Sequence, residues 1–346
     1  MNRPSLLAVD GGNSKIDAAL LTDAGAVLGA ARWVGPDVDR PEWDSGGAPG
    51  DMRRVAHVVD AVGADAGVEP LRLPVAELGV YCLAGADLPA DDRRIAAALK
   101  KRGFTIEDVV RNDTFAVLRA GSERGWGVAV VCGYGINCSG VAPDGGTVRF
   151  PAIGPVSGDW GGGIDIGGSA LWHAVRAEDG RGGHTVLERL VPEYFGMKDP
   201  IEVTEAIHLG RLPAERVVEL APTVFRAAGE GDAIARSIID RQADEVVAMA
   251  GSAIRRLGMT KLDVEVVLGG GIFRTDDRDF FERIDAGLRS VARAARMVAL
   301  TVPPVVGAAL LGLDRLGSDA RASGRVRDAL THRRFASNTV TEDTRV

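Results

Sequence analysis

An aspartate followed by a glycine-rich turn lies near the start of the chain. Asp10 ends the apolar run 6–9, and the residues after it are Gly11, Gly12, Asn13, Ser14 and Lys15. The pattern places a carboxylate that can hold a metal ion beside backbone N–H groups that can face phosphate oxygens. We expect Asp10 to hold a hydrated magnesium ion and the turn to bind nucleotide phosphates. A plain hairpin turn is the alternative, because a lone glycine turn is often only a turn.

A second glycine turn, Gly133-Tyr134-Gly135, stands at the same place in a second group of strands. Strands are predicted over 6–9, 15–21 and 26–30, and again over 128–132, 136–142 and 147–150, with a glycine turn after the first strand of each group. This repeated pattern suggests a duplicated architecture with one copy in each of two lobes. The two hairpins would then face each other and hold one polyphosphate. The sequence contains no GxxxxGK[ST] motif, so the turn is not a Walker loop.

Asp113 is the candidate catalytic base. The run Arg111-Asn112-Asp113-Thr114 ends a short predicted strand and opens a helix predicted over 115–120. An aspartate there can be a helix N-cap or a catalytic group, and the residues alone leave both open. Its place between the two groups of strands favours a base that takes the proton of a hydroxyl attacking a γ-phosphate.

Two further glycine-rich segments are candidate ligand loops. The segment 154–163 carries more glycine than a connector needs, and each flexible residue costs entropy on folding. We expect Asp159, which follows Gly158, to accept hydrogen bonds from ligand hydroxyls; a long connector is the alternative. Gly269-Gly270-Gly271 follows a predicted apolar strand at 264–268 and would let the backbone approach a purine and ribose closely.

Length and composition favour two lobes and exclude several classes of function. The chain has 346 residues, 46% of them hydrophobic, which is large for a single core. We predict an N-terminal lobe at 1–115 on which a helix at about 305–330 packs, a C-terminal lobe at 116–304, and a disordered tail at 333–346. The net charge of -7 argues against a nucleic-acid partner. No signal peptide or membrane span is predicted, and three cysteines without metal-binding spacing indicate a reducing, cytoplasmic setting.

Taken together, the ordered motifs resemble the N-acetylglucosamine kinase branch of the BadF/BadG/BcrA/BcrD ATPase family. The likeness covers about residues 5–316, and it rests on the set of motifs rather than on any one of them. It implies an α/β fold of two ribonuclease-H-like lobes of the actin/hexokinase type, each with a mixed sheet and flanking helices, around a central cleft. It also implies ATP and Mg²⁺ as cofactors, an amino-sugar substrate such as N-acetylglucosamine or glucosamine, and a homodimer.

The same resemblance implies a role for each motif. The first turn, from Gly11 to Lys15, and the second, from Gly133 to Gly135, would hold the phosphates, and Gly269 to Gly271 would contact adenosine. The base would be Asp113. The sugar contacts would be Asn112, Asp113, Asn137, Gly158 and Asp159.

The chain departs from the family pattern in its second turn, where Tyr134 and Ile136 stand in place of two hydroxyl-bearing residues. This departure motivates one alternative, a sugar or nucleotide sensor of the same fold without catalysis. The lack of a helix-turn-helix before Asp10 argues against a DNA-binding repressor. The other alternative is an ATP-dependent activator of a dehydratase, which would need cysteines to hold an iron–sulfur cluster with a partner.

Overall fold

The computed structural model describes residues 4–12, 15–35, 44–45, 48–49, 52–68 and 72–341. These residues form two compact units. One contains the described residues up to Gly127 and those from Val298 onward, and the other is Val128–Met297. The predicted lobe boundaries at 115/116 and 304/305 therefore both fall inside the first unit.

Thirteen strands and twelve α-helices form in the described part of the chain. The strands are β1 (Leu6–Gly11), β2 (Lys15–Leu21), β3 (Val27–Val34), β4 (Asp44–Ser45), β5 (Ala48–Pro49), β6 (Ala76–Leu83), β7 (Thr105–Asn112), β8 (Gly127–Cys132), β9 (Ile136–Val141), β10 (Thr147–Arg149), β11 (Glu265–Gly269), β12 (Arg296–Ala299) and β13 (Thr339–Thr341). The helices are α1 (Arg53–Asp65), α2 (Pro89–Arg102), α3 (Asp113–Gly121), α4 (Gly162–Glu178), α5 (Leu187–Phe195), α6 (Pro200–His208), α7 (Ala221–Gly229), α8 (Ala233–Arg256), α9 (Arg278–Val291), α10 (Val305–Leu316), α11 (Ala320–Ala329) and α12 (His332–Ala336).

The first unit is built on a six-stranded sheet in the order β13-β3-β2-β1-β6-β7. Its central strand β1 is antiparallel to β2 and parallel to β6, so the sheet is mixed. Successive residues of β1 point to opposite faces of the sheet. Leu7 accordingly packs in a core with Val55 of α1 and Ile95 of α2, whereas Leu6 packs in a second core with Leu310 of α10.

The second unit repeats this order of strands. Its five-stranded sheet runs β10-β9-β8-β11-β12, with β11 parallel to β8. In both sheets an antiparallel meander precedes the parallel strand that pairs with its first strand. Helices α4 to α9 complete the unit, and α8 begins where the Asp232 carboxylate accepts a hydrogen bond from the Ala235 N–H at 2.8 Å. The α/β class and the repeated pattern of strands predicted from the sequence are confirmed.

The predicted disordered tail is wrong for residues 333–341. This stretch lies almost wholly in α12 and β13, and β13 extends the first sheet by pairing parallel with β3. Phe335 is the reason for the order, because its fully buried ring joins the core formed with α10 and α11. Residues beyond Thr341 lie outside the described part.

Helix α3 belongs to the first unit because it packs closely on α10. A Cβ built at Gly307 of α10 would lie 1.8 Å from the Ala116 carbonyl oxygen, so only glycine permits this approach. Within the described residues, no helix combines the length and apolar character needed to cross a bilayer.

Candidate active site

Asp10 lies at the carboxyl end of β1, inside the first sheet. In the strand register it is opposite Asp17 of β2 on one side and Cys82 of β6 on the other. Its side chain is only 7% exposed. Burial raises the pKa of Asp10 well above its usual range, Lys15 opposes the shift, and the negative charges of Asp17 and Asp113 add to it. The Asp10 carboxylate makes no hydrogen bond with any described residue, so its oxygens are available to a ligand.

The first turn continues from Gly12 into Lys15. The Gly12 N–H donates to the Lys15 carbonyl oxygen at 2.9 Å, which closes the turn. Asn13 and Ser14, both predicted to bind phosphate, lie outside the described residues. The ammonium group of Lys15 is 3.8 Å from a carboxylate oxygen of Asp17, and its side chain is 37% exposed. The lysine that the sequence assigns to the phosphates is therefore accessible at this end of the sheet.

Asp113 is the first residue of α3 rather than its cap. The N-cap is Asn112, whose Oδ1 accepts a hydrogen bond from the Thr114 N–H at 3.0 Å. Burial raises the pKa of Asp113 to about 6, against the lowering effect of hydrogen bonds from the backbone N–H groups of Thr114 and of Asp113 itself. The side chain remains partly accessible to solvent. A carboxylate with a pKa close to neutrality suits a general base, because it is ionised at pH 7 and still a competent proton acceptor.

Asn112 does not fit its predicted role as a sugar contact. It is 1% exposed, its Nδ2 donates to the Asp87 carboxylate at 2.8 Å, and its Oδ1 accepts from both the N–H and the hydroxyl of Thr114. These contacts use the amide within the protein. Asn112 is instead the buried N-cap that fixes the start of α3 and thereby the position of Asp113.

The second glycine turn is hydrogen-bonded to the start of α4. The Gly133 N–H donates within the turn to the Gly135 carbonyl oxygen at 3.0 Å. The Gly133 and Tyr134 carbonyl oxygens accept from the Gly163 and Ile164 N–H groups at 2.9 and 3.0 Å. The first N–H groups of a helix otherwise lack partners, so each element satisfies the other. The prediction that Gly133 donates to phosphate through its backbone N–H is not supported by this geometry.

Ile136 is a core residue, which accounts for one of the two departures from the family pattern. It is 5% exposed, and its Cβ would lie 3.2 Å from a Cβ built at Gly161. A hydroxyl at this position would be buried under the turn. Tyr134 is half-buried and stays close to the predicted phosphate site.

The glycines at the start of α4 serve packing against this turn. Gly162 has a φ of 78°, and a Cβ there would lie 2.4 Å from the Gly135 carbonyl oxygen. The Gly161 N–H donates to the Asp165 carboxylate at 2.8 Å, and the Gly162 N–H donates to the Gln242 amide oxygen at 2.7 Å. Part of the glycine content of 154–163 is therefore explained by the close contact of Gly162 with the second turn.

The predicted sugar contacts of the second unit lie on the turn at 154–159 and on β9. Gly158 has a φ of 84° and its N–H donates to the Pro155 carbonyl oxygen at 3.1 Å, so it is a turn residue. The Asp159 carboxylate accepts a short hydrogen bond from the Ser157 hydroxyl. Asn137 uses its Oδ1 to accept from the Cys138 N–H at 2.7 Å. Asp159 and Asn137 both remain partly exposed, as ligand-binding side chains must be.

A cavity of about 660 Å³ opens in the second unit. Among its lining residues are Gly133 of the second turn, Gly163 of α4 and Gly271 after β11. Its volume lies in the usual range of pockets for small ligands, about 300–1,000 Å³. Of the predicted adenosine contacts, the structure thus brings Gly271 to the same cavity as the second turn.

The walls of this cavity are apolar and were not predicted from the sequence. They are formed by Val218, Ala221, Pro222 and Phe225 on and before α7, and by the buried Ile272 after β11. An apolar lining favours the binding of a purine ring, because binding removes apolar surface of both the ring and the cavity from water. The spacing of 218, 222 and 225 is also that of an ordinary helical core stripe, which is why sequence alone gives no signal for a ligand.

The rim of the cavity is polar. Arg226 and Gly229 contribute from α7, and the segment that follows β11 contributes Arg274, Thr275, Asp276 and Asp277. Asp277 is fixed by Arg236 of α8 through two contacts of 3.1 and 2.8 Å. Polar groups at the mouth of an apolar pocket suit the ribose and phosphate part of a nucleotide.

Gly269 and Gly270 do not line the cavity but lead the chain from β11 to Gly271, which does. Gly269 is the buried last residue of β11. Gly270 has a φ of 101°, and a Cβ there would lie 2.2 Å from the Cys132 carbonyl oxygen. Gly270 therefore lets the chain turn tightly against β8 just before Gly271, which lines the cavity.

The three cysteines are all free and fully buried. Cys82, Cys132 and Cys138 are each 0% exposed. Burial raises the pKa of Cys132 and Cys138, which opposes the thiolate form that an iron–sulfur cluster requires. In the part of the chain that the structure describes, no group of three or more His, Cys, Asp or Glu side chains is arranged to hold a metal ion.

Comparisons with known proteins agree on one family and one fold. Residues 7–312 match the BadF/BadG/BcrA/BcrD ATPase family. The N-acetylmuramic acid/N-acetylglucosamine kinase of Clostridium acetobutylicum is 27% identical over 208 residues, which cover 60% of this chain and 68% of that protein. The N-acetyl-D-glucosamine kinase of Dictyostelium discoideum is 27% identical over 244 residues, covering 68% of this chain and 76% of that protein.

Among solved structures, a candidate N-acetylglucosamine kinase from Chromobacterium violaceum has a TM-score of 0.69 at 23% identity, over 90% of this chain and 99% of that one. A ROK hexokinase from Thermus thermophilus has a TM-score of 0.51 at 17% identity, over 91% and 99%. These structures share the fold of sugar kinases of the actin/hexokinase type. With the family match spanning most of its length, the chain belongs to the BadF/BadG/BcrA/BcrD ATPase family.

Proposed function

We propose that this protein is an ATP-dependent kinase that transfers the γ-phosphate of ATP to a hydroxyl of an amino sugar, N-acetylglucosamine or glucosamine. The observation that carries the proposal is Asp113, a partly accessible carboxylate with a pKa of about 6. It lies on the same unit as the buried Asp10, whose carboxylate makes no hydrogen bond with a described residue. The two curated relatives that act on N-acetylglucosamine support the same substrate class.

In this proposal Asp113 accepts the proton of the attacking hydroxyl. Phosphoryl transfer asks little covalent chemistry of the protein, so the remaining residues position the reactants and balance charge. Lys15 contacts the phosphates, and the cavity lined by Gly271 holds the adenosine. Asn137 and Asp159 contact the sugar through the oxygen and nitrogen atoms that they expose.

Magnesium fits the first turn. Mg²⁺ keeps several of its waters and often binds through one or two carboxylates, and Asp10 offers one whose oxygens have no partner among the described residues. A bound magnesium ion would neutralise charge on the β- and γ-phosphates. The Asp10 carboxylate would hold it through water.

The test is ADP release measured against a panel of hexoses, amino sugars and N-acetyl amino sugars. Stimulation by N-acetylglucosamine or glucosamine above that by glucose, with a sugar phosphate recovered by mass spectrometry, supports the proposal. Tight ATP binding without stimulation by any sugar would favour the sensor instead.

The dehydratase activator is disfavoured by the burial of all three cysteines. Iron analysis and the absorption spectrum of anaerobically purified protein test it directly, and we expect no iron. The cytoplasmic location and the homodimer stay predictions, the second of which sedimentation measurements can check.

A further inference from the structure

A buried ion pair lies next to the first turn. Arg32 of β3 contacts Asp17 of β2 with both arms of its guanidinium: Nε is 2.6 Å from Oδ1 and Nη2 is 2.7 Å from Oδ2. Asp17 is fully buried, and the Arg32 side chain is 16% exposed. Paired charge-assisted bonds of this kind are among the strongest hydrogen bonds in proteins, and they fix the orientation of both groups.

The same carboxylate also faces Lys15. The Lys15 ammonium is 3.8 Å from Oδ2 of Asp17, which is an ion-pair distance and longer than a hydrogen bond. Arg32 already occupies both oxygens of Asp17. The Lys15 ammonium is therefore attracted to Asp17 but makes no hydrogen bond with it. It can turn toward another anion.

Arg32 is braced by the C-terminal segment, which we define as residues 332–341. The Arg32 N–H donates to the Asn338 carbonyl oxygen at 2.9 Å, and Thr339 of β13 is opposite Arg32 in the strand register. The guanidinium carbon lies 5.5 Å from the centre of the Phe335 ring. The family match ends at residue 312, so this brace is built from chain beyond it.

We propose that Arg32, braced by the C-terminal segment, is a positioning residue that occupies Asp17 and thereby keeps Lys15 available to the nucleotide phosphates. Without Arg32, the buried Asp17 carboxylate is left without its partner, which is costly, and Lys15 is the nearest cation that can replace it. The lysine then binds Asp17, and the β- and γ-phosphates lose a positive charge. The inference rests on the proposed function only through the contact between Lys15 and these phosphates.

The test compares the binding of ATP and AMP by calorimetry, in the absence of sugar, for the full chain and Arg32→Gln. AMP has no β- or γ-phosphate, so it reports the adenosine cavity alone. We expect the Kd for ATP to rise about tenfold, which is about 1.4 kcal/mol, and the Kd for AMP to stay constant. Arg283→Gln is the matched control, because Arg283 makes a similar two-armed contact with Asp244 in the second unit; it should change neither value.

Two further variants keep the test decisive if Arg32→Gln does not fold. The double variant Asp17→Asn with Arg32→Gln removes both charges, leaves nothing to capture Lys15, and should bind ATP within about twofold of the wild type. Deletion of 337–346 keeps Phe335 and the ion pair but removes the Asn338 contact. It should weaken ATP binding about threefold, well under 1.4 kcal/mol, and leave AMP unchanged.

An equal loss of ATP and AMP affinity in these variants would overturn the proposal, because it would indicate general loosening of the fold. So would unchanged ATP binding in a folded Arg32→Gln or deletion variant. If the wild type binds ATP but phosphorylates no sugar, the proposed function fails while the comparison of ATP with AMP still decides the role of Arg32.

Discussion

Replacing Asp113 by asparagine should abolish most activity and at the same time stabilise the protein. The change keeps the size of the side chain and its place at the start of α3, but it removes the proton acceptor. A positioned general base contributes about 10²–10⁴-fold to the rate, so we expect kcat to fall by that factor. Binding of ATP should persist, because the cavity that we propose for adenosine is formed by residues of the second unit.

The gain in stability follows from the pKa of Asp113. The folded protein holds this proton more tightly than the unfolded chain, with a pKa of about 6 against an ordinary 3.8. At about 1.36 kcal/mol per unit, the carboxylate costs the folded state up to about 3 kcal/mol above pH 6, and partial exposure reduces this figure. The cost is absent below pH 4, where both states are protonated. The neutral asparagine never carries it.

Thermal unfolding of both proteins between pH 4 and pH 8 measures this difference. We expect Asp113→Asn to melt on the order of 5 °C above the wild type at pH 8, and the gap to close at pH 4. The wild-type kcat/KM should lose activity on the acid side with a midpoint near pH 6. A midpoint near pH 4, together with equal melting temperatures at pH 8, would refute the perturbed carboxylate. Near-normal turnover of Asp113→Asn would refute its role as base.

Three other substitutions probe the rest of the site and the fold. Asp10→Asn should raise the magnesium concentration for half-maximal activity by about tenfold or more, in a titration at saturating ATP, while AMP binding stays unchanged; an unaltered titration would place the metal elsewhere. Ala221→Phe places a large ring in the cavity and should raise the KM for ATP by about tenfold without changing the KM for sugar. Equal changes in both KM values would mean that the cavity is not the adenosine site. Gly307→Ala should lower the free energy of unfolding by about 1–3 kcal/mol in a denaturant titration, because its Cβ would meet the Ala116 carbonyl oxygen at 1.8 Å; wild-type stability would show that α3 and α10 can separate without cost.

The sequence predicts best where the period of apolar residues is unambiguous. Strand β2 has the predicted bounds, whereas the helix predicted at about 305–330 begins as α10 at Val305 but ends at Leu316, before the left-handed Gly317. Disorder was wrongly predicted for residues 333–341 because the composition there is mostly polar and Phe335 is a single apolar ring within it. Phe335 orders the stretch through contacts with residues far away in the chain, and local composition carries no record of such contacts.

For the site, sequence motifs locate the backbone turns but not the uses of individual side chains. Asn112 stands beside the candidate base and looks like a ligand contact, yet Asp87 and Thr114 take up its amide. Gly163 lies in a glycine-rich run that suggests a loop, yet it starts a helix whose N–H groups hold the second turn. In each case one hydrogen-bond partner is distant in sequence, Asp87 for Asn112 and Gly133 for Gly163. The apolar cavity walls were missed for the same reason, since a helical stripe indicates burial without naming the partner.

The return of the chain to the first unit has a consequence during biosynthesis. The core around Leu6 and Ala8 requires Val306, Leu310 and Phe335, which leave the ribosome some 300 residues later. The second unit is continuous in sequence, so all its strands are available before α10 has been made. Domains fold as their residues emerge, and contacts between distant segments form late. We therefore expect the second unit to fold first. Until α10 is made, one apolar face of β1 and β2 stays exposed to solvent, where chaperones can bind it.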